Sequence, residues 1–247
     1  MAFSEAEVER YARHLVLREI GGPGQQRLKA ASVLMVGAGG LGAPAALYLA
    51  AAGVGRIGLA DPDTAALSNL QRQVIYDTAD IGRRKVEAAA DRLGALNPEI
   101  AVETHAVAVT PDNARALVAG YDLVLDGTDD FATRFAVSDA CLAGGKTLVS
   151  GAIARWTGQI GVFSGRPCYR CLVPEIPPDA DTCVSVGVIG ALGGVIGSMM
   201  ALEAVKIIAG AGEPLDGRLL IYDALAGETR TVRIGADPGC PACRAGE

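Results

Sequence analysis

"ASVLMVGAGGLGAPAALYLAAAGVGRIGLAD", residues 31–61, decides the fold. ASVLMV reads as a buried strand. GAGGLGAPAALYLAAAG reads as a glycine turn opening a helix, and RIGLAD as a second strand ending in an acid. Gly37, Gly39, Gly40 and Gly42 fit G-x-G-x-x-G. Glycines let the backbone turn tightly and approach a phosphate, and the helix N-terminus favours its negative charge. Asp61 follows Gly42 by 19 residues, at the strand end where a ribose-hydroxyl acceptor belongs. Strand, turn, helix and acid in one register predict nucleotide binding. The bland alternative is a glycine turn kept only for helix–sheet packing.

Outward from this stretch the same rhythm continues. RRKVEAAADRLGALN is a helix stopped by Asn97 and Pro98, and IAVETHAV is a third strand. PDNARALVAG is a short helix, YDLVLDGTDD a fourth strand with an acidic end, ATRFAVSDACLAGG a helix and KTLVSGAI a fifth strand. Alternating strands and helices predict an α/β, Rossmann-like, doubly wound and mostly parallel sheet. GQIGVFS, GRLLIYDAL and ETRTVRI then extend it with antiparallel strands. Residues 4–30 read as two short helices, with Ser4 and Glu7 forming a capping box. Residues 172–182, with three prolines and three acids, read as a mobile loop. The expected organisation is one domain over 1–247: N-terminal helices (1–30), a nucleotide-binding part (31–152) and a third part (153–247).

Half the residues are hydrophobic and only 4% aromatic, which suits close-packed helices on a sheet. The net charge of −6 argues against nucleic acid as the main partner, since a basic footprint is missing. The chain opens on structure rather than on a leader segment, so a cytoplasmic location is expected. VGVIGALGGVIGSMMAL, residues 186–202, is uncharged, yet it is short for a span, broken by five glycines and followed by Glu203 and Lys206. It reads as a core or dimer-interface helix, not a membrane anchor.

After Asp61 comes a polar loop, Ser68-Asn69-Leu70-Gln71-Arg72-Gln73, and then Lys85 at the start of a helix. The fourth strand ends in Asp126-Gly127-Thr128-Asp129-Asp130. All belong at the carboxyl edge of one parallel sheet and face one crevice. A nucleoside site, cations and a carboxylate together suit a nucleoside triphosphate with Mg²⁺ better than a dinucleotide, which needs no metal. Arg83, Arg84 and Lys85 at a helix start oppose the helix dipole, which points to an anionic ligand. Asp129 reads as a metal ligand or as the N-cap of the next helix, and Asp63 as a second ribose acceptor or a turn cap. His14 and His105 read as surface or capping residues.

At RYARHLVL, GAGGLG, AGVGRIGLAD, LSNLQRQ, DGTDD, CYRC, the TC before VGVIG, and PGCPAC, the sequence resembles the ubiquitin-activating-enzyme-like family, in its bacterial MoeB/ThiF/HesA branch. The resemblance runs from about residue 5 to 243. It implies ATP-dependent adenylation of the C-terminal glycine of a ubiquitin-like sulfur-carrier protein, in molybdopterin or thiamine biosynthesis. It also implies that Arg72 and Lys85 hold the β- and γ-phosphates, Ser68 and Asn69 orient them, Asp61 takes the ribose and Asp129 holds Mg²⁺. Arg13 would come from the neighbouring subunit of a homodimer. Two positions depart from the family pattern: Asp130 replaces an asparagine, and Arg84 a proline.

Cys168, Cys171, Cys240 and Cys243 form two CxxC pairs, which suit a closed tetrahedral structural Zn²⁺ site better than a redox pair. Cys141 reads as core. Cys183 is either a covalent link to the carrier, as in some family members, or a small buried hydrophobe. The chain ends soon after the second pair, so a separate sulfur donor is expected. Two rivals stay open: a non-catalytic member that binds a ubiquitin-like protein, and an NAD or FAD oxidoreductase, which leaves LSNLQRQ unexplained.

Overall fold

Strand β1 (Ser32–Val36) is buried along its whole length and lies between two parallel neighbours, β2 (Arg56–Ala60) and β4 (Leu123–Asp126). Parallel strands covered on both faces read as unbroken apolar runs, which is how SVLMV looks. Alternate residues serve opposite faces. Val33 and Met35 join one core with Ile57, Leu59 and Leu125, while Leu34 and Val36 join the other with Val124. In the computed structural model, which describes residues 3–176 and 187–244, β3 (Ala101–His105) adds to β2 and β5 (Thr147–Ala154) to β4, both parallel. β6 (Thr157–Phe163), β7 (Arg218–Asp223) and β8 (Glu228–Arg233) continue antiparallel, giving the order β3-β2-β1-β4-β5-β6-β7-β8. The α/β sheet with its antiparallel extension is the one expected. β1 is the point where the chain switches direction across the sheet, so the crevice opens at the carboxyl ends of β1, β2 and β4.

Three helices precede β1, where two were expected: α1 (Glu5–Arg10), α2 (Ala12–Leu15) and α3 (Gly21–Ala30). The break falls at Tyr11, whose ring is buried and whose hydroxyl accepts from Asn97 Nδ2 at 2.9 Å. The Ser4–Glu7 capping box is present in both directions. Asn97 caps α5 (Lys85–Leu96) and also donates to Ala50 O at 2.7 Å, tying α5 to α4 (Gly42–Ala52). Helices α6 (Pro111–Ala119) and α7 (Phe131–Ala143) cover the second face of the sheet, where Cys141 is buried. α8 (Tyr169–Leu172) is one turn long.

The glycine-rich helix α9 starts at Gly190 and runs to Ala209. It is long and apolar enough to cross a membrane. Here Leu192, Ile196, Met200 and Ala204, each four residues apart, are buried in the first core. Its glycines press the backbone onto the nucleotide loops. A Cβ on Gly193 would lie 2.6 Å from Gly40 O, and one on Gly197 would lie 2.5 Å from Leu41 O. Small residues therefore do serve close approach, as the sequence suggests, but the partner found is the glycine loop of the same chain. Of the expected mobile loop, residues 177–182 lie outside the described residues, as does Cys183.

Candidate functional site

A cavity of about 620 Å³ occupies the crevice. Residues singled out in the sequence line it, among them Gly37, Gly39, Gly40, Asp61, Asp63, Asn69, Arg72, Gln73, Lys85, Asp129 and Asp130. The glycine loop forms its floor. Gly37 has φ +85°, and a Cβ on Gly42 would sit 1.9 Å from Gly37 O, so Gly42 closes the turn and does not line the cavity.

Asp61 is buried, and both its oxygens are engaged. Oδ2 accepts from Ala38 N at 2.8 Å, and Oδ1 accepts from Asp63 N at 2.9 Å. The carboxylate thus holds the glycine loop as well as facing the cavity. Tyr76 donates to Ala38 O at 2.8 Å from beneath, and burial followed by the charge of Asp61 pushes its phenol well up. Lys85 is buried at the first turn of α5. Its Nζ lies 2.8 Å from Asp63 Oδ2 and 3.9 Å from Asp61 Oδ1.

These pairings correct the helix-dipole argument. Arg83 is held by Asp80 at 2.8 Å and Asp91 at 2.6 Å, Arg84 donates to Pro62 O at 2.7 Å, and Lys85 has Asp63. The cations at this helix start are matched within the chain, so their sequence position alone does not call for an anionic ligand. Asp63 pairs with Lys85 and also lines the cavity, where its carboxylate stays largely exposed.

The polar loop splits in its roles. Arg72 is half-buried, and Nη1 donates to Ser68 O at 3.1 Å. Its stem lies over Gly40, where a Cβ would come within 3.4 Å of Arg72 Cδ. Asn69 Oδ1 accepts from Ala66 N at 3.2 Å. Gln73 is buried, and its Oε1 has no hydrogen-bond partner among the described residues. A buried amide oxygen left unpaired in a cavity wall fits a site that a ligand completes. Ser68, Leu70 and Gln71 do not line the cavity; Leu70 packs against the core and Gln71 O meets Gly190 of α9. Arg13 is exposed on α2 and is absent from the cavity of its own chain.

At the end of β4, Asp130 rather than Asp129 caps α7, accepting from Thr133 N at 2.7 Å. Burial opposes its charge, but the hydrogen bonds from Thr133 and Ala132 outweigh it and lower its pKa. Asparagine and aspartate cap helices about equally well, so this departure from the family pattern keeps the structural role. Asp130→Asn is expected to leave the unfolding midpoint nearly unchanged. It should tighten nucleotide binding by about fivefold, since removing a charge next to a polyanion is worth about 1 kcal/mol in water. Titration of both proteins with Mg·ATP checks this; weaker binding by the variant would contradict it. Asp129 is exposed at the cavity and makes no hydrogen bond or ion pair among the described residues. A free carboxylate beside the glycine loop fits a magnesium ion that keeps most of its ligands as water and phosphate oxygen.

The cavity also holds residues the sequence reading missed. Val107, Ala108 and Val109 follow β3, and Phe131, Thr133 and Arg134 lie on the first turns of α7. Ala152–Ala154 and Thr157–Gln159 come from the β5–β6 hairpin. The residues at strand ends are readable from the topology, whereas Arg134 sits within an otherwise largely apolar helix that gives no local sign of its place in the cavity. His14 meets Gln25 and His105 meets Tyr121, and neither lines the cavity.

Away from the crevice, the four cysteine sulfurs lie within 4.8 Å of one another. Cys168 Sγ is 3.6 Å from Cys240 Sγ, and Cys171 Sγ is 3.4 Å from Cys243 Sγ. Bonds of about 2.3 Å to a tetrahedral zinc set sulfurs about 3.8 Å apart, so the cluster fits a four-thiolate ion. Burial raises the Cys240 thiol, but the backbone N–H groups of Cys243 and Ala242 prevail and hold it at about 7.

A sequence model described as the ThiF family matches residues 11–242. The sulfur carrier protein adenylyltransferase of Thermus thermophilus is 47% identical over 98% of this chain and 93% of its own length. The probable adenylyltransferase/sulfurtransferase MoeZ of Mycobacterium tuberculosis is 50% identical over 97% of this chain but only 63% of its own length. The crystal structure of E. coli MccB with ATP superposes with a TM-score of 0.83, covering 95% of this chain and 74% of that one. At 23% identity, that likeness speaks for the fold alone.

Proposed function

We propose that this chain, which belongs to the ThiF family and is an adenylyltransferase, activates the C-terminal glycine of a ubiquitin-like sulfur-carrier protein with ATP and releases pyrophosphate. The observation that carries the reading is one cavity that gathers the glycine loop, Asp61, Arg72, Lys85 and an exposed Asp129 that makes no ion pair among the described residues. The names of the two relatives support the substrate class.

A C-terminal carboxylate has a pKa of about 3.5 and is ionised at neutral pH, so no general base is required. It attacks the α-phosphorus, and pyrophosphate leaves. The protein's task is to align two anions and to neutralise the charge that builds on the phosphates. Asp61, already fixed by two backbone N–H donors, accepts from the ribose. Arg72 faces the phosphates over Gly40. Lys85 turns from Asp63 toward them when the nucleotide enters. Asn69 and Ser68 fix the loop that carries Arg72, and Gln73 gains the partner it lacks. Asp129 would hold Mg²⁺, which supplies phosphate charge neutralisation when bound. Val107, Val109 and Phe131 offer an apolar wall for the base.

The exposed Arg13 suits a homodimer in which each copy completes the other's site. The cysteine cluster suits structural Zn²⁺. The described cysteines are all unpaired, in keeping with a reducing cytoplasm. The sulfur donor in this reading is a separate protein.

The test is ATP–pyrophosphate exchange with Mg²⁺, run with one carrier for molybdopterin and one for thiamine synthesis. Exchange that requires an intact glycine-glycine tail supports the reading, and the active carrier names the pathway. Nucleotide binding without exchange on either carrier would favour a non-catalytic member.

A further inference from the structure

Arg134 is the most deeply engaged cation in the cavity wall. It is 5% exposed and sits one turn into α7. Nη1 donates to Asp126 Oδ2 at 3.2 Å and to Ser150 Oγ at 3.0 Å. Nη2 donates to Gly151 O at 2.7 Å and to Thr128 O. Asp126 is 1% exposed and is completed by Ser150 Oγ at 3.0 Å and by Thr128 N and Oγ1, each at 3.0 Å. One guanidinium therefore joins the carboxyl end of β4 and the middle of β5 to the turn that carries Asp129. Burial works against its charge, but Asp126 first, then Tyr169, keeps the guanidinium firmly protonated.

The arrangement separates the two carboxylates of the DGTDD segment. Asp126 is neutralised by a buried partner in contact, whereas Asp129 makes no ion pair among the described residues, feels Arg134 only as a nearby positive charge, and is open to the cavity. A neutral pair behind the turn adds no repulsion toward phosphates. The Arg134–Thr128 bond, directly before Asp129, sets where that carboxylate points. Lysine could keep the charge but not the planar fork that reaches four acceptors at once.

We infer that Arg134 is a positioning residue: through Thr128 O and Asp126 it aims the Asp129 carboxylate at the magnesium of a bound Mg·nucleoside triphosphate. This rests on the reading of Asp129 given above. It concerns binding rather than turnover, so no carrier protein is needed to test it.

The experiment is calorimetric titration of the full chain with ATP, with and without Mg²⁺, alongside thermal unfolding of the unliganded protein. Wild type should bind ATP more tightly with Mg²⁺ and Asp129→Asn should lose that gain; if wild type shows no gain, the reading of Asp129 fails. If it does, Arg134→Lys should weaken Mg²⁺-dependent binding by roughly tenfold, the usual scale for loss of an outer partner of a metal ligand. Binding without Mg²⁺ should change by less than about a third of that. An equal loss with and without Mg²⁺, or none in a folded variant, overturns the inference. Should Arg134→Lys not fold, Ser150→Ala removes one acceptor without leaving a buried charge. It should show the same selective loss at smaller size, and unchanged magnesium dependence would overturn the inference.

Discussion

Arg72→Ala is expected to cut ATP–pyrophosphate exchange by roughly a hundred- to a thousandfold, the scale measured for removing one preorganised donor aimed at developing charge. Arg72 is suited to that task because little of it is used elsewhere. Its side chain makes one hydrogen bond among the described residues, to Ser68 O, and its stem is laid over Gly40, where a Cβ would touch it at 3.4 Å. The guanidinium is thus held close to the glycine loop and makes no ion pair with a carboxylate among the described residues. For the same reason the variant should fold: a half-buried side chain with one backbone acceptor contributes little to stability. Lys85 differs. Its ammonium is buried between Asp63 and Asp61, so Lys85→Ala leaves two carboxylates facing each other without a cation. Its effect would mix lost catalysis with altered folding, whereas Arg72→Ala isolates the phosphate contact. Exchange within a few-fold of wild type in a folded Arg72→Ala protein would remove Arg72 from the mechanism.

The features that sequence made plain are those written in local pattern. Buried parallel strands are continuous apolar runs, and SVLMV and LVLD have no other comfortable state. The positions of Asp61, Arg72, Lys85 and Asp129 followed from one rule, that loops at the carboxyl ends of parallel strands share a crevice. What stayed hidden depends on pairing between distant elements. Arg134 finds Asp126 only eight residues away, but Ser150 and Gly151 arrive only when β5 pairs with β4. The dipole argument at Arg83–Lys85 failed because it counted cations without knowing that Asp63, Asp80 and Asp91 fold against them. The N-cap fell on Asp130 rather than Asp129 because α7 starts one residue later than that alternative required. The glycines of α9 signalled close approach without naming a partner, since Gly193 meets Gly40 across more than 150 residues of chain.

Loss of a zinc ion proposed for the cysteine cluster is expected to be the most damaging change outside the crevice. The cluster joins a one-turn helix after β6 to the last described turn of the chain, and the nearest sulfur pairs cross between the two CxxC motifs. Among the described residues that tail is otherwise held by β8 pairing with β7, by Ile234 on the second core and by Asp237 N at 3.5 Å from Cys171 Sγ, while β8 itself is exposed throughout. The Cys168–Cys171 turn is in turn fixed to α7 by Arg170 on both oxygens of Asp139 at 2.8 Å and by Tyr169 against Phe135, and to β6 by Tyr169 against Phe163. An ion binding all four thiolates would weld these parts together. Cys168→Ser and Cys240→Ser should therefore each lose one zinc per chain by elemental analysis. The unfolding midpoint should drop by roughly 10 °C or more, since structural zinc binds with an apparent free energy of about 10 kcal/mol or higher and a domain of this size shifts by about 2–4 °C per kcal/mol. Cys141→Ser is the control. That thiol is buried in the second core, pushed up to about 12 by burial, and should leave the metal content at one per chain. Purified wild-type protein with no bound metal, and with disulfides formed between the same cysteines on mild oxidation, would instead make the cluster a redox centre.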